Sequence, residues 1–178
     1  MNKKIELNRI VRQKITDALF ALMHEKNFSD ITVTEIITTA GVARVTFYRN
    51  YATKENVLTA LIDDILNKFA DGNDYSEIDC MKYAHVEKSF RTFREYDRYV
   101  IDLYNSGFAT LLLDRLNSFH EAIAGVMPQN SAEKYAVYIY MGALFNTAIN
   151  WLQGGCREEV SVVAEVFCKQ FGIDVTPV

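Results

Sequence analysis

Apolar residues recur along this chain at three- and four-residue steps, the spacing of one face of a helix that turns every 3.6 residues or so. Between residues 8 and 26, Val11, Ile15, Ala18, Leu19, Leu22 and Met23 keep that step, and Asn27 is a stop. Thr32 opens a second, shorter helix, with Glu35 three places on, the spacing of a capping box. The tripeptide "AGV" at 40–42 ends it, because Gly41 can take the left-handed conformation of a tight turn. A third helix covers roughly 43–51. Thr53 is the expected N-cap of a fourth, from Lys54 to about Ala70, and "DGND" at 71–74 is a loop. Helices are expected beyond it at 77–95, 97–105, 108–126, 132–153 and 158–171, punctuated by Gly107, Met127-Pro128 and Gly154-Gly155. The break near Tyr96 is weakly marked, which leaves open a single kinked helix over 77–105.

Composition agrees with an all-α fold of about nine helices. The 178 residues include only 2 prolines and 8 glycines, and 49% are hydrophobic, enough for a substantial core. The first three helices make a small helix-turn-helix domain, residues 1–53, and the helix 54–70 bridges it to a larger helical body, 71–178. No Pro- or Gly-rich linker separates the two, so the bridge is expected to be rigid.

Charge divides the same way. Residues 1–56 carry 9 Lys/Arg against 6 Asp/Glu, and the remainder 10 against 17, within a formal total of −4. A basic head on an acidic body suits an anionic partner that meets the head alone. The cysteines, Cys80, Cys156 and Cys168, are odd in number and lack CxxC spacing, so no metal site and no disulfide framework is expected. Buried free thiols in a reducing, cytoplasmic setting are the expectation. The stretch "YAVYIYMGALFNTAINWL", 135–152, has the minimum length of a membrane span, but Asn146, Thr147 and Asn150 point to burial in protein instead. The beginning "MNKKIELNRIVRQK" lacks the apolar run of a signal peptide.

The segment "VARVTFYRNYATKEN", 42–56, concentrates hydrogen-bond donors. On a helical wheel with Arg44 at 0°, Tyr48 falls near 40°, Val45 near 100° and Arg49 near 140°, at about 100° per residue. Ala43, Phe47 and Tyr51 gather on the other side, near 260°, 300° and 340° by the same rule of about 100° per residue. The second set can pack on the preceding helix, leaving Arg44, Val45, Tyr48 and Arg49 to face outward. An outward Val between arginines and a tyrosine suits a DNA major groove. There an aliphatic group touches a thymine methyl, and Arg bridges guanine O6 and N7. The helix that begins at Lys54 offers free N–H groups to a phosphate.

Over residues 32–58, "TVTEIITTAGVARVTFYRNYATKENVL", the sequence resembles the DNA-binding signature of the TetR family of bacterial transcriptional regulators. The matching pieces are Ile36-Ile37, Ala40-Gly41-Val42, Thr46-Phe47-Tyr48, Tyr51 and Lys54-Glu55; Ala43 and Ala52 depart from it, standing where Ser and Pro are common in the family. The resemblance implies that Arg44 and Val45 read bases, and that Thr46, Tyr48, Asn50 and Lys54 contact phosphates. It also implies that Thr34 reaches the DNA edge. Double-stranded DNA is then the partner, and no cofactor is implied. The stretch "YMGALFNTAINWLQGG", 140–155, is similar to a TetR subgroup with members that regulate dihydroxyacetone kinase operons, one of them through a partner protein.

Neither side of the 135–152 helix carries a charged, water-facing surface. Gly142, Ala143, Asn146, Thr147 and Asn150 collect on one side, and Val137, Met141, Leu144, Phe145, Ala148 and Leu152 on the other. The last helix has a broad stripe of Val160, Val163, Ala164, Phe167 and Phe171. A helix apolar nearly all round is covered on two sides. A homodimer follows, joined through Gly142, Ala143, Asn146, Asn150, Val160, Val163 and Phe167, as the TetR resemblance also implies. A ligand pocket between helices would draw on Phe93, Tyr96, Tyr104, Phe108, Phe119, Tyr138, Met141 and Phe145, although aromatic and Met side chains at this spacing equally form core. Its occupant would be a small-molecule effector, or a partner protein would take the effector's part. Catalysis is not expected: His85 and Glu87 form HxE without a following PCxxC, and HExxH, GxSxG and Gly-rich phosphate loops are missing. A protein-binding adaptor that keeps the helix-turn-helix as scaffold is the alternative to a ligand-responsive repressor on a pseudopalindromic operator.

Overall fold

The computed structural model describes residues 3–70, 79–125 and 132–175, and over them the protein is all helix and turn. In chain order come α1 (Lys3–Glu25), a 3-10 turn (Phe28–Asp30), α2 (Val33–Ala40), α3 (Arg44–Asn50) and α4 (Glu55–Ala70). They are followed by α5 (Tyr83–Glu95), α6 (Asp97–Leu103), a π-type turn (Tyr104–Phe108), α7 (Ala109–Ala124), α8 (Glu133–Gln153) and α9 (Val160–Phe171). The expected loop at 71–74, residues 77–78 and the Met127-Pro128 pair lie outside the described residues.

The differences from the sequence reading have local causes. Helix α1 begins five residues earlier than the apolar pattern, since 3–7 contain no breaker and Glu6 pairs with Arg9 at 2.6 Å one turn on. Tyr96, at φ −109° and ψ 22°, leaves helical geometry and separates α5 from α6, so 83–103 is two helices. Gly107, at φ 86°, ends the next segment in a conformation that a side chain would resist.

The chain divides into two compact units, Met1–Asp64 and Ile65–Val178, and the division falls within α4. The first unit, the head, closes on Ile15, Leu19, Ile31, Ile36, Phe47, Val57 and Leu58, all essentially out of water. Each such side chain contributes about 1.5–3 kcal/mol by burial. In the second unit, the body, α5 packs on α9 and α7 on α8. Rings fill that core: Phe90 meets Trp151 at 6.1 Å and Phe167 at 5.9 Å, and Phe167 stacks on Phe171 at 4.7 Å.

This packing decides which faces of α8 and α9 look outward, and it corrects part of the expected dimer surface. Val160, Val163 and Phe167 are 5%, 9% and 3% exposed, so they belong to the body's own core and are not available to a partner. The reason is the aromatic pairing of α9 with α5 and α8, in which Tyr140 meets Phe167 at 5.3 Å. Val162 and Val166 are on the open face of α9 instead, 48% and 55% exposed. On α8, Met141, Leu144, Phe145, Ala148 and Leu152 turn inward. Asn146, Asn150 and Ile139 are exposed on the other side, with Gly142 and Ala143 half-buried between them.

Candidate nucleic-acid interface

Helix α2 is held at both ends. Thr32 Oγ1 accepts a hydrogen bond from the Glu35 amide, and the Glu35 carboxylate accepts from the Thr32 amide at 2.8 Å, the reciprocal capping box that the spacing predicts. The same carboxylate pairs with Lys26. The Lys26 ammonium first, then the Thr32 amide and hydroxyl, hold its pKa down at about 2. Gly41, at φ 64° and ψ 37°, closes the helix, and the Val42 amide reaches back to the Ile37 carbonyl at 3.0 Å. This turn aims α3.

Helix α3 has an anchored side and a free side. Phe47 is fully buried, and Tyr51 nearly so. Arg12 on α1 donates to the Tyr51 hydroxyl at 3.2 Å and pairs with Asp64 on α4 at 2.9 Å, so a single guanidinium ties α1, the end of α3 and α4 together. Ala43 stands at the N-cap without a side-chain bond to offer, and the amides of Thr46 and Phe47 use its carbonyl instead. On the free side, Val45 is 76% exposed and Tyr48 47%. The Arg44 guanidinium lies 3.4 Å from the Thr34 hydroxyl and 3.5 Å from the Tyr48 hydroxyl, above the Tyr48 ring at 5.5 Å. These contacts are at the outer limit of hydrogen bonding, so they orient Arg44 and leave its donors ready to exchange partners. Thr34, Arg44 and Tyr48, from two helices, thus make one cluster beside Val45. Arg49 is exposed in the last turn of α3, and Thr46 is half-buried.

Two of the expected phosphate-contacting side chains are placed otherwise. Lys54 precedes α4, and its ammonium donates to the carbonyls of Phe28, Ser29 and Ile31 at 2.6, 3.1 and 2.7 Å. It also lies 4.5 Å from the centre of the Phe28 ring. Its three protons close off the 3-10 turn, so a phosphate would have to displace carbonyls. Asn50 donates to the Thr46 carbonyl at 2.8 Å and accepts from the Asn8 amide at 2.8 Å, joining α1 to α3. Sequence spacing misses both roles because their partners are remote: Phe28 is 26 residues from Lys54, and Asn8 is 42 from Asn50.

The aromatic set expected to line a pocket does not share one cavity. Phe93, Phe119, Met141 and Phe145 are buried core, and the Tyr96 hydroxyl takes a hydrogen bond from Lys68 at 2.9 Å. Tyr104 packs its ring on Phe145 at 6.3 Å, and Phe108 is half-buried next to Gly107. Tyr138 is on the surface, donating to Glu121 at 2.6 Å. A cavity of about 350 Å³ in the body is lined instead by residues including Cys80, His120, Ala136, Val137 and Tyr140. No helix among the described residues is long and apolar enough to cross a membrane.

A capped helix, a left-handed glycine turn and a second helix with a buried aromatic spine and a cationic, methyl-bearing outer face make the head a helix-turn-helix unit. Residues 15–61 match the family of bacterial regulatory proteins of the tetR type. The match lies within the first unit and leaves the body outside it. Solved structures share the fold over nearly the whole chain. A TetR transcriptional regulator from Streptococcus agalactiae 2603V is 21% identical, with a TM-score of 0.65, over 95% of this chain and 98% of its own. A TetR-family protein from Syntrophomonas wolfei str. Goettingen is 18% identical, with a TM-score of 0.67, over 96% and 99%. The dihydroxyacetone kinase operon activator DhaS is 16% identical, with a TM-score of 0.60, over 92% and 97%. A search of curated proteins found no match.

Proposed function

We propose that the protein is a homodimeric, ligand-responsive repressor that binds a pseudopalindromic operator through α3. The observation that carries this reading is the outer face of α3: exposed Val45 flanked by Arg44, with Thr34 and Tyr48 steadying the guanidinium. Arg44 and Val45 read base edges, and Tyr48, Thr34, Thr46 and Arg49 meet the backbone or groove edge. Lys54 and Asn50 support α3 from behind. Two heads of a dimer would enter successive major grooves, roughly 34 Å apart along one side of the duplex.

Exposed Ile139 on α8 and exposed Val162 and Val166 on α9, with half-buried Gly142 and Ala143 allowing close approach, support the dimer. An effector held in the body would act through α4, which belongs to both units, by changing the separation of the heads. The alternative reading is control by a partner protein in place of a small molecule. The likeness to DhaS, whose name carries activation, extends to the fold alone.

Selection of bound fragments from random duplex DNA with the purified protein tests the reading. A two-half-site consensus and a dimer by sedimentation are expected. Arg44→Ala should then cost about 1–3 kcal/mol on that site and relax preference at one position of each half-site. Failure to bind duplexes even at low salt, where phosphate attraction is strongest, overturns it.

A further inference from the structure

A buried polar atom without a partner costs free energy, so each one in a native fold calls for something that it binds. Among the described residues three such side-chain atoms occur: Nε2 of His85, Nε2 of His120 and Oδ1 of Asn117. The two imidazoles are neighbours, their rings edge to face with centres 5.7 Å apart. His85 is in the first turn of α5 and His120 near the end of α7. Cys80, just ahead of α5, brings a thiol to the same place, and one ligand atom from each of the three lies within 4.8 Å of the others.

The protonation pattern suits a ligand set. His120 Nδ1 is 3.0 Å from the Leu116 carbonyl oxygen, which can only accept, so Nδ1 holds the proton and Nε2 has its lone pair free. A carbonyl that fixes the tautomer in this way is the usual support behind a metal-bound histidine. Burial first, and His120 second, hold the His85 pKa down at about 4, so its ring is neutral at neutral pH. The Cys80 thiol is pushed up to about 11, mainly by burial, and a coordinated metal would take its proton. The cavity of about 350 Å³ reaches both Cys80 and His120, which provides an entry path and room for a fourth ligand.

We propose that Cys80, His85 and His120 form a binding site for Zn²⁺, with three protein ligands and the fourth position open to the body cavity. Two imidazole nitrogens and a thiolate suit a borderline-soft d¹⁰ ion and disfavour Mg²⁺ and Ca²⁺, which take oxygen. Zn–N near 2.0–2.1 Å and Zn–S near 2.3 Å put tetrahedral ligand atoms about 3.5 Å apart. The present spread of up to 4.8 Å therefore has to close by about 1 Å on binding. That motion falls on Cys80, which is in a turn, while both histidines are on helices. Tyr140 donates to the Cys80 carbonyl at 3.0 Å and keeps this segment against α8. The site lies wholly in the body, so it stands whether or not the head binds DNA.

The test uses the full chain, stripped of metal and titrated with Co²⁺ as a coloured probe and then with Zn²⁺ against a chromophoric chelator. One Co²⁺ per chain is expected, with tetrahedral absorption and a thiolate-to-cobalt charge-transfer band, both bleached by one equivalent of Zn²⁺. Cys80→Ser should remove the charge-transfer band. His120→Gln should weaken Zn²⁺ by about tenfold or more, the scale on which even supporting residues act. Should His120→Gln fail to fold, Cys80→Ser at its turn position still decides the matter. Absence of stoichiometric binding, wild-type affinity in both variants, or uptake of Cu⁺ but not Zn²⁺ would each overturn the assignment.

Discussion

In the head, the polar networks around α3 lie near the surface and hold one another in place; in the body, His85, Ser89 and His120 lie inside, and among the described residues three buried side-chain atoms there have no partner. Glu35 answers Thr32 and Lys26, Arg12 answers Tyr51 and Asp64, and Lys54 answers three carbonyls. The head is thus a positioning device, with its networks behind α3 and its uncommitted groups in front. The body keeps His85 and His120 among rings, Phe69 5.2 Å from His85 and Phe119 5.4 Å from His120, with both Nε2 atoms unanswered. Satisfied polar groups fix geometry, whereas unsatisfied buried ones lower stability until something binds them.

The contrast predicts substitutions of opposite sign. Lys54→Met should destabilise the protein by about 2–3 kcal/mol in urea unfolding, because charge-assisted hydrogen bonds are lost and carbonyls are left unpaired. Its DNA binding should keep the wild-type salt slope; a slope lower by about one, with stability intact, would restore the phosphate role. His85→Leu, measured with chelator present, should instead stabilise by about 1–2 kcal/mol, since an unanswered polar atom is removed. A loss there would show that the imidazole has a partner in the metal-free protein and would erase the contrast.

A smaller gain is expected from Ala43→Ser. A hydroxyl at this N-cap can accept from the Thr46 amide, worth about 1 kcal/mol in thermal unfolding. Unchanged stability would mean that water already caps α3. The smallest effect concerns acid. The pKa of Glu35 is lower folded than unfolded, 4.5 falling to about 2, so its contribution is complete above 4.5 and disappears as pH falls toward about 2. Glu35→Gln should flatten the loss of stability in that window, followed by unfolding at a series of pH values, and leave neutral-pH acid sensitivity alone. A change spread between 6.5 and about 4 would point to His85 in the body instead, whose folded pKa is held down at about 4.

How much was legible in advance follows the range of each interaction. Thr32 with Glu35 and the turn at Gly41 are decided within four or five residues, and the structure has them where the spacing puts them. The split of α3 into Phe47 inside and Val45 outside follows from helical angle alone. Aromatic periodicity marked Phe93, Phe119, Met141 and Phe145 as facing other helices, but it does not distinguish a lined cavity from rings packed on rings. For Val160, Val163 and Phe167 it did not distinguish a neighbour in the same chain from one in a second copy.

The amino-acid sequence by itself determined the approximate spans of most helices, the capping of α2 and the residues that α3 presents, because these rest on backbone hydrogen bonds and contacts within a turn or two, while α1 and α5 begin elsewhere than the apolar pattern indicates. Only the tertiary structure decided that Lys54 closes a turn 23 to 26 residues away, that the small and polar side of α8 looks outward, and that Cys80, His85 and His120 converge. Each of these depends on which helices come to lie side by side, and close packing of the whole core settles that, since a side chain's neighbours in space are not its neighbours along the chain.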